Sequence, residues 1–221
     1  MIIVHHLNNS RSQRVLWLLE ELGLPYEVRR YERDGKTQLA PSELKTIHPL
    51  GKSPVLDDGD VRVAETGAII EYLLETYGEG RLKPEAGTAE ARRYTYWLHY
   101  AEGSAMTPLL LKLVFGALPQ RSPFFVRGVV KAVAGKVQEG FIDPQIVSHV
   151  AYWEAELGRN AWFAGTEFTA ADIMMSFPLE AGGSRVPYGP DKGHIRAFLQ
   201  RIHARPAYQR ALARGGPYAY A

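Results

Sequence analysis

Short apolar runs and amphipathic stretches alternate along the first 80 residues. The short runs, which include β-branched and aromatic residues, predict strands at 2–4, 26–28, 55–56 and 61–63. Apolar residues at helical spacing predict helices over 12–22, 41–47 and 65–77. The resulting order, βαβ, then α, then ββα, is that of an α/β thioredoxin-like unit.

The pattern changes after a short linker. Residues 78–87 contain glycines and a proline, which are typical of a connection between domains. Beyond residue 88 only helical patterns continue, at 88–116, roughly 123–138, 143–158, 169–180, 191–202 and 206–213. We therefore expect a thioredoxin-like domain over 1–80 and an all-helical C-terminal domain over 88–221. Within the latter, Thr169 and Asp172 are spaced as a capping box that begins a helix.

Composition narrows the classes of function. The 221 residues include no cysteine, which excludes disulfides, thiolate metal sites and mechanisms that use a protein thiol. A net charge of +2 does not require a nucleic-acid partner, and the seven histidines show no metal-ligand spacing. The sequence shows neither a signal pattern nor an apolar stretch of ~20 residues, so we expect no membrane span and a cytoplasmic protein.

Two segments suggest a site for an amino-acid or peptide ligand. Pro54 precedes a short apolar run, where it removes a ladder donor, and this favours a sharp turn with a cis Ser53–Pro54 bond. That turn would expose a backbone edge to a peptide. Glu65 and Thr66 stand where a strand ends and a helix begins. The helix N-terminus favours a carboxylate and the Glu65 side chain favours an ammonium group, so together they suit an amino-acid head group.

These features, with the segment His-His-Leu-Asn-Asn-Ser-Arg-Ser-Gln-Arg at 5–14, resemble the glutathione S-transferase family. The resemblance is closest to the serine-type branch of bacteria and fungi, and its motifs lie at 5–14, 48–56, 64–70 and 162–179. It implies a homodimeric, metal-free detoxification enzyme that attacks a hydrophobic electrophile with glutathione thiolate. A glutathione-dependent peroxidase or disulfide reductase on the same fold, and a non-catalytic glutathione-binding or ligand-binding protein, are the alternatives.

The resemblance assigns catalysis to the loop after the first strand. Ser10 matches the catalytic serine, whose hydroxyl would donate to the thiolate, and Asn9 is the second candidate. The residues alone also allow a capping box between Ser10 and Gln13, and a simple turn at Asn9. Where tyrosine-type relatives have their donor, this chain has His6, which we interpret as an ordinary strand residue.

The resemblance also implies the remaining contacts with substrate. Glu65 and Thr66 would hold the γ-glutamyl group. Ser53 would act through its backbone beside Pro54, so its side chain would matter little. Lys52 could pair with the glycyl carboxylate, or be an exposed loop lysine. The second-substrate pocket would include Asn8, Tyr100, Ser104 and Thr107, although an aromatic stripe on helix 88–116 is also typical of a core or a subunit interface.

Overall fold

The computed structural model describes residues 1–220 and contains one four-stranded sheet. Its strands are β1 (Ile2–Leu7), β2 (Tyr26–Tyr31), β3 (Val55–Asp58) and β4 (Val61–Ala64), in the order β2-β1-β3-β4. β1 pairs in parallel with β2, and the β1–β3 and β3–β4 pairs are antiparallel. The parallel pair is joined by helix α1 (Ser12–Leu22), and α2 (Leu44–Ile47) and α3 (Thr66–Tyr77) complete the predicted order of elements.

Some elements differ in length from their predictions. β1 continues to Leu7, which makes His5 and His6 strand residues as expected. Only the last four residues of the helix predicted over 41–47 are α-helical. The residues before them form turns closed by hydrogen bonds between residues three positions apart, such as the bond that the Lys45 N–H donates to the Ser42 carbonyl at 2.9 Å.

The rest of the structure is helical. Its elements are α4 (Ala89–Tyr100), α5 (Met106–Arg121), α6 (Arg127–Val137), α7 (Asp143–Arg159), α8 (Ala170–Arg185), α9 (Gly193–His203) and α10 (Pro206–Gly215). Two π-helical turns, Ala101–Ala105 and Gln138–Ile142, join α4 to α5 and α6 to α7. The predicted helices are therefore correct in kind. The helix predicted to end at 116 continues to Arg121, so the break before the next helix lies at 122–126. The break predicted between 138 and 143 is wrong, since a π turn continues the helix through it.

The joined helix from Ala89 to Arg121 is 33 residues long. By length and composition alone it would suffice to cross a membrane, which the sequence pattern did not indicate. Core helices of soluble proteins meet the same criterion, so this feature is weak evidence for a membrane span.

The sheet and the helices share one continuous apolar core. Trp17 of α1 packs edge-on against Tyr208 of α10, with ring centroids 5.1 Å apart. Glu21 of α1 accepts two hydrogen bonds from Arg205, at 2.6 and 2.9 Å. The expected capping box forms at the start of α8, where Asp172 accepts from the Thr169 backbone at 2.8 Å. The predicted fold class, a thioredoxin-like unit followed by helices, is confirmed, and the boundaries at 80 and 88 stay a prediction.

Candidate active site

A cavity of about 280 Å³ opens where the start of α1, the loop before β3, the β4–α3 junction and the π turn after α4 meet. Its polar residues carry charges of both signs. The side chains and backbone that line it are those of Arg11, His48, Leu50, Lys52, Ser53, Pro54, Ala64, Glu65, Thr66 and Glu102. All five residues predicted on 52–66 to bind the ligand therefore lie at one site.

The β4–α3 junction presents a helix N-terminus to this cavity. Glu65, the residue before α3, is exposed and has φ 71°, in the left-handed region that costs a non-glycine residue free energy. Thr66 is buried, and its hydroxyl lies 3.5 Å from an Arg14 guanidinium nitrogen. The junction therefore holds the Glu65 carboxylate and the first amides of α3 at one rim.

The loop before β3 is fixed by Ser53. The Ser53–Pro54 bond is cis, as predicted. The Ser53 hydroxyl donates to the His5 carbonyl at 2.8 Å and accepts from the Leu7 amide at 3.1 Å. The expectation that this side chain matters little is therefore corrected, because its hydroxyl holds the loop against β1. Lys52 beside it is exposed at the rim.

Glu102, in the π turn, contributes the opposite wall. Its carboxylate accepts from Arg11 Nε at 2.7 Å and pairs with Arg14, whose side chain is only 1% exposed. Burial opposes ionisation of Glu102, but Arg14 and Arg11 outweigh it and hold the pKa of Glu102 below its usual range. Arg14 also donates to the Met174 carbonyl at 2.8 Å. The network therefore connects the cavity to the helical core.

Ser10 precedes Arg11, which lines the cavity, but Ser10 itself does not line it. Its hydroxyl is buried and lies 2.7 Å from the Ser12 hydroxyl. The alternative capping box does not form: Gln13 keeps both side-chain polar atoms without a partner, and its backbone amide reaches the Ser10 carbonyl at 3.3 Å. The Ser10 side chain does not cap the helix through Gln13.

Asn8 and Asn9 support neighbouring backbone. Asn8 Oδ1 accepts from the Arg33 amide at 3.0 Å. Asn9 has φ 49°, and its Oδ1 accepts from the Ala219 amide at 2.8 Å. The two amide oxygens therefore hold loop and C-terminal backbone in place, and neither residue lines the cavity.

The expected second-substrate residues on the long helix differ in burial. Tyr100 is 7% exposed, and its hydroxyl pairs with His149 and accepts from Trp153 Nε1 at 3.0 Å. These bonds and the surrounding aromatic rings place Tyr100 in the core, and its assignment to the pocket stays a prediction. Ser104 and Thr107 are exposed, and Thr107 donates to the Gly103 carbonyl at 3.1 Å.

Sequence reasoning missed five residues that line the cavity, Arg11, His48, Leu50, Ala64 and Glu102. The first four lie within the recognised motifs and could have been included on that ground. The sequence offers one indication that Glu102 has a special role, because it is the one acidic residue in the largely aromatic and apolar segment 96–106. Within residues 1–220, no three His, Asp or Glu side chains are grouped to bind a metal ion.

Comparison with known proteins assigns the family. The family model described as "Glutathione S-transferase, N-terminal domain" matches residues 1–75, and the corresponding C-terminal model matches 143–206. Glutathione S-transferase 3 of Schizosaccharomyces pombe is 35% identical over 94% of this chain and 85% of its own. Glutathione S-transferase 1 of Saccharomyces cerevisiae is 32% identical over 94% of this chain and 92% of its own.

Solved structures agree with the sequence comparisons. A glutathione S-transferase from Actinobacillus pleuropneumoniae superposes with a TM-score of 0.77 at 38% identity, covering 97% of this chain and 93% of that one. The likeness therefore extends through both the sheet and the helices. The chain belongs to the glutathione S-transferase family, and it is a glutathione-dependent transferase.

Proposed function

We propose that this transferase binds glutathione along the 52–54 loop and the start of α3, and that Ser10 activates the thiol. The observation that supports this most strongly is the single cavity that brings Lys52, Ser53, Glu65 and Thr66 together. Glutathione carries two carboxylates and one ammonium group, and this rim offers a cation, an anion and a helix N-terminus. The charges of ligand and site are therefore complementary.

The γ-glutamyl end would lie at the β4–α3 junction. Its carboxylate would accept from the Thr66 amide at the positive end of α3, and its ammonium would pair with Glu65. Ser53 would bind the cysteinyl segment through its backbone, since its hydroxyl is already bonded to β1. Lys52 would meet the glycyl carboxylate at the exposed rim. This order directs the thiol toward the start of α1.

Ser10 would donate its hydroxyl hydrogen to the thiolate. A free thiol has a pKa of about 8.5, so only about 3% is ionised at pH 7. Lowering that pKa by ~2 units requires ~2.7 kcal/mol of preferential thiolate stabilisation. One hydroxyl donor to an anion supplies ~1.5–3 kcal/mol, and the N-terminus of α1 adds to it. The protein then contributes thiolate stabilisation and orientation to the attack on the electrophile.

The Ser10→Ala variant tests this role. We expect kcat to fall by roughly one to two orders of magnitude, while glutathione affinity changes much less. The matched variant is Asn9→Ala, in the same loop. Full activity in Ser10→Ala together with loss in Asn9→Ala would move the assignment to Asn9. Assays with a chlorinated arene, a peroxide and a disulfide substrate would separate transferase from peroxidase or reductase turnover, and glutathione binding without any turnover would indicate a non-catalytic binder.

We also propose a cytoplasmic homodimer whose interface covers part of helix 89–121 and the facing part of the N-terminal domain. Trp97, Tyr100 and Met106 are buried in the chain's own core and cannot contribute. Large apolar side chains are nevertheless exposed nearby, at Tyr96, Leu110, Leu113, Val114 and Leu118. A stable interface would bury ~1,600 Å² or more in total. Light scattering at micromolar concentration should give twice the 24.7 kDa chain mass, and an active monomer would contradict this assembly.

A further inference from the structure

The loop 48–54 is anchored at its two ends by different strands. At its exit, the Ser53 hydroxyl bonds to the backbone of β1 at 2.8 and 3.1 Å. At its entry, Nη1 of Arg62, in β4, donates to the Ile47 carbonyl at 2.8 Å. Ile47 ends α2, and the next residue, His48, lines the cavity. Arg62 therefore holds the backbone at the point where the chain enters the site.

This bond matters because α2 is a single turn. A helix of four residues, Leu44–Ile47, has few internal hydrogen bonds, and its last carbonyls have no partner within the helix. The turn that follows starts from the same point, since the Gly51 amide donates to the His48 carbonyl at 2.8 Å. The position of Lys52, directly after this turn, therefore depends on where Arg62 holds the end of α2.

Arg62 is itself held by a carboxylate. Asp57 of β3 lies directly opposite Arg62 in the β3–β4 pair. It accepts two bonds from the guanidinium, from Nε to Oδ1 at 2.6 Å and from Nη2 to Oδ2 at 2.8 Å. Such a double bond fixes the plane of the guanidinium as well as its position. The remaining nitrogen, Nη1, is thereby directed at the Ile47 carbonyl.

Asp57 is held in turn by β1. Its Oδ2 lies 3.2 Å from Nε2 of His5, whose side chain is only 1% exposed. The hydrogen bond from Arg62 holds the pKa of Asp57 below its usual range; burial opposes this shift, and the bond with His5 adds to it. Since an ionised carboxylate only accepts, Nε2 of His5 carries a hydrogen and donates it. Nδ1 of the same ring lies 2.9 Å from the Tyr31 hydroxyl, so the chain of bonds reaches from β2 to Arg62.

We propose that Arg62 and Asp57 are positioning residues for the glycyl end of glutathione, because together they hold the entry of the loop that carries Lys52. This inference rests on the proposed binding of glutathione along the 52–54 loop. Neither residue lines the cavity. They act by keeping the loop in its binding conformation before the ligand arrives, so that binding does not have to order it. The cysteinyl segment depends on them less, since Ser53 is anchored to β1 without them.

The test compares two ligands by calorimetry, glutathione and γ-glutamylcysteine, which lacks the glycyl residue. We expect Arg62→Ala to weaken glutathione binding by roughly three- to tenfold, and γ-glutamylcysteine binding by less than about twofold. KM for glutathione should rise while kcat changes little, because the glycyl end is remote from sulfur. Asp57→Asn presents an amide to the guanidinium and should give the same loss. The double variant should lose no more than the larger single variant, since both act through one bond to Ile47.

Arg210→Ala is the matched control. Arg210 is a comparably exposed arginine that also bonds to a carboxylate and a backbone carbonyl, both of Glu20, at 2.7 and 3.1 Å. It lies in α10, which contributes no residue to the cavity, so its loss should leave glutathione affinity unchanged. Urea denaturation shows whether each variant is folded. If Arg62→Ala does not fold, Arg62→Met, which keeps the apolar stem, takes its place.

Unchanged glutathione affinity in Arg62→Ala, equal losses for the two ligands, or additive losses in the double variant would overturn the inference. Lys52→Ala and Glu65→Ala distinguish this result from a failure of the proposed function. If both of these weaken glutathione binding and Arg62→Ala does not, the proposed binding mode stands and the role of Arg62 falls. If neither of them weakens binding, the loop is not the glutathione site and both proposals fall.

Discussion

The cavity has two walls that are built differently. The wall from the sheet domain consists of Ser53, Glu65 and Thr66, whose positions follow from two short loops. The wall from the helices consists of Glu102, which reaches the cavity from a π turn and pairs with Arg11 and Arg14. In the proposed complex the ligand groups would face the first wall, whereas Glu102 in the second wall is bonded to arginines that pack in the fold. Substitutions should therefore weaken binding at one wall and stability at the other.

The largest effect should come from Arg14→Ala. The Arg14 side chain is almost fully buried between Glu102 and the Met174 carbonyl, so its loss removes a donor from that buried carbonyl and leaves Glu102 paired only with Arg11. We expect a loss of ~3–5 kcal/mol in the free energy of unfolding, measured by urea denaturation. Arg11→Ala is the control, because the Arg11 side chain is 36% exposed and should cost less than ~1 kcal/mol. Equal losses would show that burial does not distinguish the two arginines.

A somewhat smaller effect should appear as a pH dependence at β1. The pKa of His6 is lowered from 6.5 to about 4 in the folded chain, so protonation favours unfolding. The stabilisation is complete above about pH 6.5 and is lost as the pH falls toward about 4, by about 3 kcal/mol in total. The difference in unfolding free energy between wild type and His6→Phe isolates this contribution, since other groups titrate in both. A difference that is independent of pH would contradict the neutral, buried ring.

At the ligand wall, Glu65→Ala should weaken glutathione binding by roughly 10- to 100-fold, because an ion pair with the substrate ammonium is worth ~1.5–3 kcal/mol. The chemical step should change little, since this contact is remote from sulfur. Calorimetry gives the affinity directly. Glu79→Ala controls for the backbone, because Glu79 is also an exposed glutamate at positive φ, 50°, but does not line the cavity. If wild type, Glu65→Ala and Glu79→Ala bind glutathione with equal affinity, Glu65 does not belong to the glutathione site.

The smallest effects should come from Ser104→Ala and Thr107→Ala on the long helix. Both residues are exposed, so we expect glutathione affinity to stay within ~0.5 kcal/mol of wild type. A change of a few fold in KM for an electrophile would place them in the second-substrate pocket. If KM for several electrophiles stays unchanged, that pocket lies elsewhere and their assignment fails.

The two walls also differ in how far the sequence predicts them. Glu65 and Thr66 belong to a strand–helix junction, and Ser53 and Pro54 to a turn, so a few neighbouring residues suffice to place them. The Ser53 hydroxyl was misjudged because its partners, His5 and Leu7, lie 46 or more positions away. Local patterns therefore locate the backbone of this wall better than its side-chain bonds.

The position of Glu102 in the helical wall depends on features that the spacing of apolar residues along the sequence does not show. A pattern of 3.6 residues per turn cannot show the π turn at Ala101–Ala105, which changes the direction in which Glu102 points. The same pattern places Tyr100 on the apolar face of the helix. It does not show that this side chain is buried in the core, where its hydroxyl bonds to Trp153 and His149. The sequence pattern therefore predicts that this segment is helical. It does not predict the surroundings of each side chain, because these depend on contacts between segments that are distant in the sequence.

The most direct test of the central claim is a crystal structure of the complex with glutathione, read at the sulfur atom. We expect the sulfur within hydrogen-bonding distance of Ser10 Oγ, with the γ-glutamyl carboxylate on the Thr66 amide and its ammonium beside Glu65. A sulfur that faces the amide nitrogen of Asn9, or that lies beyond reach of Ser10, would contradict the account.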